Sequence, residues 1–187
     1  LMVQDGYREA MTGNISLYNE KGERVHTIYV GAAPEHGKQT FLDRLQREID
    51  RMKQKYPDAQ YVGIADGASP NWKFLEPNTT HHILDFYHAT EYLTKASYGF
   101  YPDSEAKRRQ WLDAACHQLK HEESGALTLL KHIKAQNDAI GNNKQLKEKT
   151  TQAIQDGMAT VITYFTNQLD RRTIVLIEKK ICRLGLA

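Results

Sequence analysis

The sequence predicts an α/β fold: a mixed sheet built from an antiparallel hairpin and a parallel β-α-β unit, followed by an all-helical stretch. Three observations carry this. Two strand-forming runs, 7–18 and 24–31, are joined by the short loop Asn19-Glu20-Lys21-Gly22, and strands joined so closely must be antiparallel. The continuous apolar run before Asp66-Gly67 is connected by a helix-length segment to a second strand, His82-Ile83-Leu84-Asp85-Phe86, which makes those two parallel. From Tyr87 onward the strand signal stops and helical spacing takes over.

In chain order, Tyr7 to Tyr18 is rich in strand formers, and in the partner strand Val25, Thr27 and Tyr29 should face one way, His26, Ile28 and Val30 the other. Lys38 to Tyr56 is the clearest helix. Phe41, Leu45, Ile49, Met52 and Tyr56 recur at helical spacing, Thr40 to Asp43 resembles a capping box, and Pro57 ends it. Tyr61 to Ala65 is short enough for a strand buried on both faces. Pro70 suits the first position of a short helix over 69–75. Further helices are expected over Glu91–Ala96, Asp103–Lys120, Leu127–Asn137 and Lys144–Leu169, separated at Gly99–Pro102, Ser124-Gly125 and Gly141–Asn143.

The chemistry concentrates around Asp66. A carboxylate at a strand's C-terminal edge, followed by glycine, stands where ligands and metal ions collect in open α/β sheets. An Asp capping the next helix explains the same residues, and Asp-Gly turns are common. Asp85 and His88 follow the second parallel strand and should reach the same edge, there to orient a metal-bound water or contact DNA. A helix cap and a packed imidazole are the plainer explanation of that pair. His117 and His121 stand four apart with Cys116 beside them, a zinc-compatible spacing that surface histidines also satisfy. Trp72, Tyr98, Phe100 and Tyr101 are either stacking platforms for bases or packing between sheet and helices. The helical stretch carries Lys107, Arg108, Arg109, Lys120, Lys131, Lys134, Lys144, Lys147 and Lys149, which suits a phosphate backbone or a solvated surface equally.

A chain of 187 residues is long enough for one domain with a real core, or for a core domain plus a helical appendage, and its net charge of +2 does not by itself announce nucleic acid. Two distant cysteines, Cys116 and Cys182, point to a reducing cytoplasm rather than a disulfide scaffold. No apolar run approaches the ~20 residues of a bilayer span, so no membrane partner is expected. The chain starts at Leu1 and is expected to be a piece of a longer protein.

Four segments, in order, resemble DDE insertion-sequence transposases of the Kra-type branch, whose catalytic core is ribonuclease H-like. They are Gly6-Tyr7-Arg8-Glu9-Ala10-Met11, His26-Thr27-Ile28-Tyr29-Val30-Gly31-Ala32-Ala33-Pro34-Glu35, Tyr61-Val62-Gly63-Ile64-Ala65-Asp66-Gly67-Ala68, and Leu84-Asp85-Phe86-Tyr87-His88-Ala89-Thr90-Glu91-Tyr92-Leu93. The resemblance implies a partial core over 1–90, a helical insertion over 91–170 and a divergent tail over 171–187. It also implies two Mg²⁺ or Mn²⁺ ions held by three carboxylates for in-line attack on a DNA phosphodiester, with DNA and further copies of the protein as partners. Asp66 matches the second acid and metal ligand, and the Asp85 and His88 pair matches an accessory motif.

Two departures limit that implication. The first acid of the pattern belongs before Leu1, with Asp5 a poor substitute; the third belongs in a Glu-bearing helix that has no counterpart in this sequence, with Glu178 a conceivable but weak replacement. The expectation is therefore a transposase fragment, inactive in strand transfer alone, or a non-catalytic DNA-binding or dimerising remnant of a mobile element.

Overall fold

The structure, a computed structural model, describes residues 2–3, 6–7, 10–33 and 37–169. Asp5, Glu178 and the tail over 171–187 lie outside the described residues. The chain divides into two compact units at Tyr61/Val62.

In the first unit, β1 (Met2–Val3) and β2 (Gly6–Tyr7) form a short antiparallel pair, and β3 (Met11–Tyr18) pairs antiparallel with β4 (Arg24–Ala32). The strand expected to run unbroken from Tyr7 is thus two separate elements. The hairpin loop is held by Asn19, whose Oδ1 accepts from Lys21 N and Glu23 N at 3.0 and 2.9 Å. Gly22 supplies the positive φ of 76° that the turn requires. The pairing sets Gly13 opposite Val30 and Ile15 opposite Ile28; a shift after Leu17 leaves Val25 as an extra residue, a bulge.

Helix α1 (Gly37–Lys55) lies on this hairpin with Phe41, Leu45, Ile49 and Met52 buried, the apolar stripe that the sequence predicts. Gly13 permits the contact, since a Cβ there would come within 3.2 Å of Phe41 Cζ. The helix begins at Gly37, so Thr40 and Asp43 lie inside it and no capping box forms there. Asp43 instead accepts from Gln39 Nε2 at 2.7 Å.

In the second unit, β5 (Val62–Ala65) and β6 (His81–Leu84) pair in parallel, with α2 (Ser69–Leu75) between them in the chain. The parallel connection is as expected; full burial is not, because Ile64 is 64 % exposed while Gly63 is buried. Pro70 occupies the second helical position of α2. The second strand stops at Leu84, and α3 (Phe86–Phe100) starts directly after Asp85, so the expected strand residue Phe86 is helical and the helix is far longer than 91–96. The division expected at residue 90 falls inside this continuous helix.

The remaining helices are α4 (Glu105–His121), α5 (Gly125–Asn142), α6 (Lys144–Lys149) and α7 (Gln152–Gln168). The single helix expected from 144 is two. Thr150 Oγ1 turns back to Leu146 O at 2.9 Å, and Thr151 caps the new helix by accepting from Ile154 N. Trp72, Leu84, Leu93, Leu119, Ile133 and Phe165 join one core, so strands and helices of this unit share their packing. Among the described residues the strands form three two-stranded ladders, and no helix is long and apolar enough to cross a membrane.

Candidate functional site

Parallel register places Asp66 and Asp85 side by side. Ala65 pairs with Leu84, and Asp85 N donates to Ala65 O at 2.8 Å, so the ladder runs to the residue where each strand delivers its acid. The two carboxylates therefore leave neighbouring strands at their C-terminal ends, as the sequence predicts.

Each acid is also a local structural device. Asp66 Oδ1 accepts from Ala68 N at 3.0 Å and from Asn71 Nδ2 at 2.9 Å, which ties the turn to the first residues of α2. Asp85 is the N-cap of α3, its Oδ1 accepting from Tyr87 N at 2.8 Å and His88 N at 3.4 Å. The capping role and the edge position coexist in both residues, because only one carboxylate oxygen of each is engaged by these bonds.

His88 sits in the first turn of α3 rather than on a strand edge. Its ring meets Tyr92 at 5.4 Å and Tyr164 at 5.8 Å, both edge-on, and Nδ1 lies 3.5 Å from Glu91 Oε2. A half-buried imidazole among tyrosines is held chiefly by packing. Among the described residues no three His, Cys, Asp or Glu side chains converge to hold a metal ion. Asp66, Asp85 and His88 thus do not form the donor set that a Mg²⁺ or Mn²⁺ pair requires.

Tyr164, on α7, is the residue of this region that the sequence does not announce. Its ring stacks on Tyr92 with centroids 3.7 Å apart and planes 8° apart, and meets Phe165 edge-on at 5.3 Å. Its hydroxyl is buried with no hydrogen-bond partner among the described residues. Burial first, then the negative charge of Tyr92, Asp66, Asp85 and Glu91, pushes the phenol well above its ordinary value of 10.0. The only sequence signal is helical spacing with Val161 and Phe165, which marks a core face and no more.

A pH dependence follows from that shift. A phenol with a raised folded-state pKa keeps its full contribution to stability below the unfolded value near 10 and loses it as pH rises further, since the unfolded chain ionises first. Urea midpoints measured across the alkaline range should fall more steeply for the wild type than for Tyr164→Phe. At neutral pH Tyr164→Phe should match or exceed the wild type by up to about 1 kcal/mol, because it removes an unpartnered hydroxyl.

The other candidate groups resolve into packing and surface. Trp72 is 1 % exposed, Phe100 stacks on Trp111 at 4.6 Å, and Arg108 lies 4.4 Å over Tyr98 while donating to the carbonyls of Tyr101 and Pro102 at 3.0 Å each. Arg108 is thereby committed to the α3–α4 connection. His117 and His121 lie with ring centroids 4.6 Å apart on the exposed face of α4. Burial and then Asp113 push the Cys116 thiol up, which disfavours the thiolate that zinc would take. Lys107, Lys120, Lys131, Lys134, Lys147 and Lys149 are exposed.

An open recess of about 420 Å³ lies beside the acid-bearing turn, lined by Gly67, Tyr92, Thr160, Thr163, Tyr164 and Gln168 among others. None of its lining residues is acidic. Compared with known proteins, the chain matches no family model, no curated protein and no solved structure.

Proposed function

We propose that this chain is part of the catalytic domain of a DDE insertion-sequence transposase of the Kra-type branch, with a ribonuclease H-like mixed sheet, and that by itself it does not transfer DNA strands. The observation that supports this most is the emergence of Asp66 and Asp85 from adjacent ends of two parallel strands. Ligands of open α/β sheets bind at such an edge. In this reading Asp66 is the second catalytic acid and ligand of Mg²⁺ or Mn²⁺, and Asp85 and His88 are the accessory pair. DNA is the partner, the intact protein is a homo-oligomer, and the setting is cytoplasmic.

Inactivity rests on charge. Holding two divalent ions a few ångström apart takes several carboxylates around them, and the described residues bring two to this edge, each with one oxygen occupied by amide donors. That engagement favours a second reading: a non-catalytic DNA-binding or dimerising remnant, whose exposed lysines meet the phosphate backbone.

A cleavage assay with Mg²⁺ or Mn²⁺, on DNA bearing the sequences that flank the gene, tests the proposal. The expected result is no nicked or transferred strand, with salt-sensitive retention of the DNA by the chain. Cleavage that disappears in Asp66→Ala would overturn the inactivity; absence of DNA binding at low salt would count against both readings.

A further inference from the structure

We propose that Gln168 and Tyr164, on the last described helix, are positioning residues for Asp66, acting through the Gly67–Ala68 peptide. Gln168 Nε2 donates to the carbonyl of Gly67 at 3.0 Å, across 101 residues of sequence. The same peptide unit carries the Ala68 N–H, which donates to Asp66 Oδ1 at 3.0 Å. A peptide unit is planar, so its oxygen and its N–H move together. Gripping the oxygen from α7 therefore fixes the direction in which the N–H holds the carboxylate.

Tyr164 supplies the floor. A Cβ at position 67 would come within 2.6 Å of Tyr164 Cε2 and 2.9 Å of Gln168 Nε2, so the glycine lets the turn rest directly on these two side chains. The ring has little freedom to yield, being 8 % exposed and stacked on Tyr92. Behind it, Met158, Val161 and Phe165 fasten α7 into the core. Asn71 Nδ2 donates to the same oxygen, Oδ1, at 2.9 Å and completes the hold. The helical part of the chain thus sets the orientation of the acid delivered by β5. The consequence for chemistry rests on Asp66 being the acid of the proposed transposase; the positioning itself does not.

Amide hydrogen exchange and side-chain amide resonances of the ¹⁵N-labelled full chain test this without DNA or metal. In Gln168→Leu, and in Gln168→Glu, which keeps the size but loses the donor, the Ala68 amide should exchange about tenfold faster relative to the core amides of Leu129 and Ile133. The Asn71 side-chain amide should also shift towards its solvent-exposed position. Tyr164→Phe should preserve both signals and Tyr164→Leu should lose them. Ala68 and Asn71 signals that stay at wild-type values in both Gln168 variants, or that change no more than the core amides, would overturn the proposal. Because no strand cleavage is read, failure of the transposase assignment leaves this result standing, and the reverse.

Discussion

Replacing Trp72 by alanine should lower the unfolding free energy by about 3–5 kcal/mol, the range for removing a large aromatic side chain from a packed core. Trp72 is 1 % exposed, joins Leu84 and Leu93 in the core of the second unit, and meets His82 edge-on with centroids 6.0 Å apart. The indole sits on α2, one residue after Asn71, which holds Asp66. Its loss should therefore loosen the acid-bearing turn as well as the core. Urea denaturation followed by tryptophan fluorescence from Trp111 measures it. A loss under about 1 kcal/mol, typical of an exposed position, would return Trp72 to the class of surface aromatics available for base stacking.

Gly125→Ala should cost about 1–3 kcal/mol or more through overpacking. The position opens α5, and a Cβ there would drive into the backbone carbonyl of Gln118, with the carbonyl carbon at 2.9 Å and Leu119 Cα at 3.3 Å. Backbone cannot rotate out of the way as a side chain can, and Leu119 is itself fully buried. The helices α4 and α5 would have to part. Gly157, inside α7, meets nothing within 4 Å, so Gly157→Ala should act oppositely and stabilise by about 1 kcal/mol through helix propensity alone. Thermal midpoints of the two variants should move in opposite directions. A similar shift for both would mean that the α4–α5 contact is looser than described.

The parts legible in the sequence are those governed by local rules. The apolar stripe of α1 and its stop before Pro57, the hairpin around Asn19 and Gly22, and the parallel pairing forced by a helix-length link all follow from spacing and turn chemistry. Sequence and structure diverge where two local signals compete. Phe86 is a good strand former, and it masks the start of the helix that Asp85 caps, although Asp is a strong N-cap. Thr40 and Asp43 have capping spacing but sit within a helix already begun at Gly37. At Thr150 and Thr151 the apolar spacing of 144–169 continues, and only the hydroxyl bonds of the two threonines reveal the break.

The candidate site divides in the same way. Asp66 and Asp85 were visible because a strand end followed by an acid is a one-dimensional pattern. Tyr164 and Gln168 were not, since nothing in a residue so far along the chain signals that its partner is the peptide after Asp66. The exposure of Ile64 was equally hidden: a continuous apolar run states that a strand is fit for burial, while what covers it is decided by tertiary packing.

Two parallel strands deliver two acids to one edge. Nuclear Overhauser contacts between backbone protons test that directly: the Asp85 amide should show cross-strand contacts to Ala65 and Asp66, in register with contacts pairing Gly63 with His82 and Ile64 with Ile83. Contacts of the antiparallel kind, or an Asp85 amide close to neither Ala65 nor Asp66, would separate the two carboxylates and contradict it.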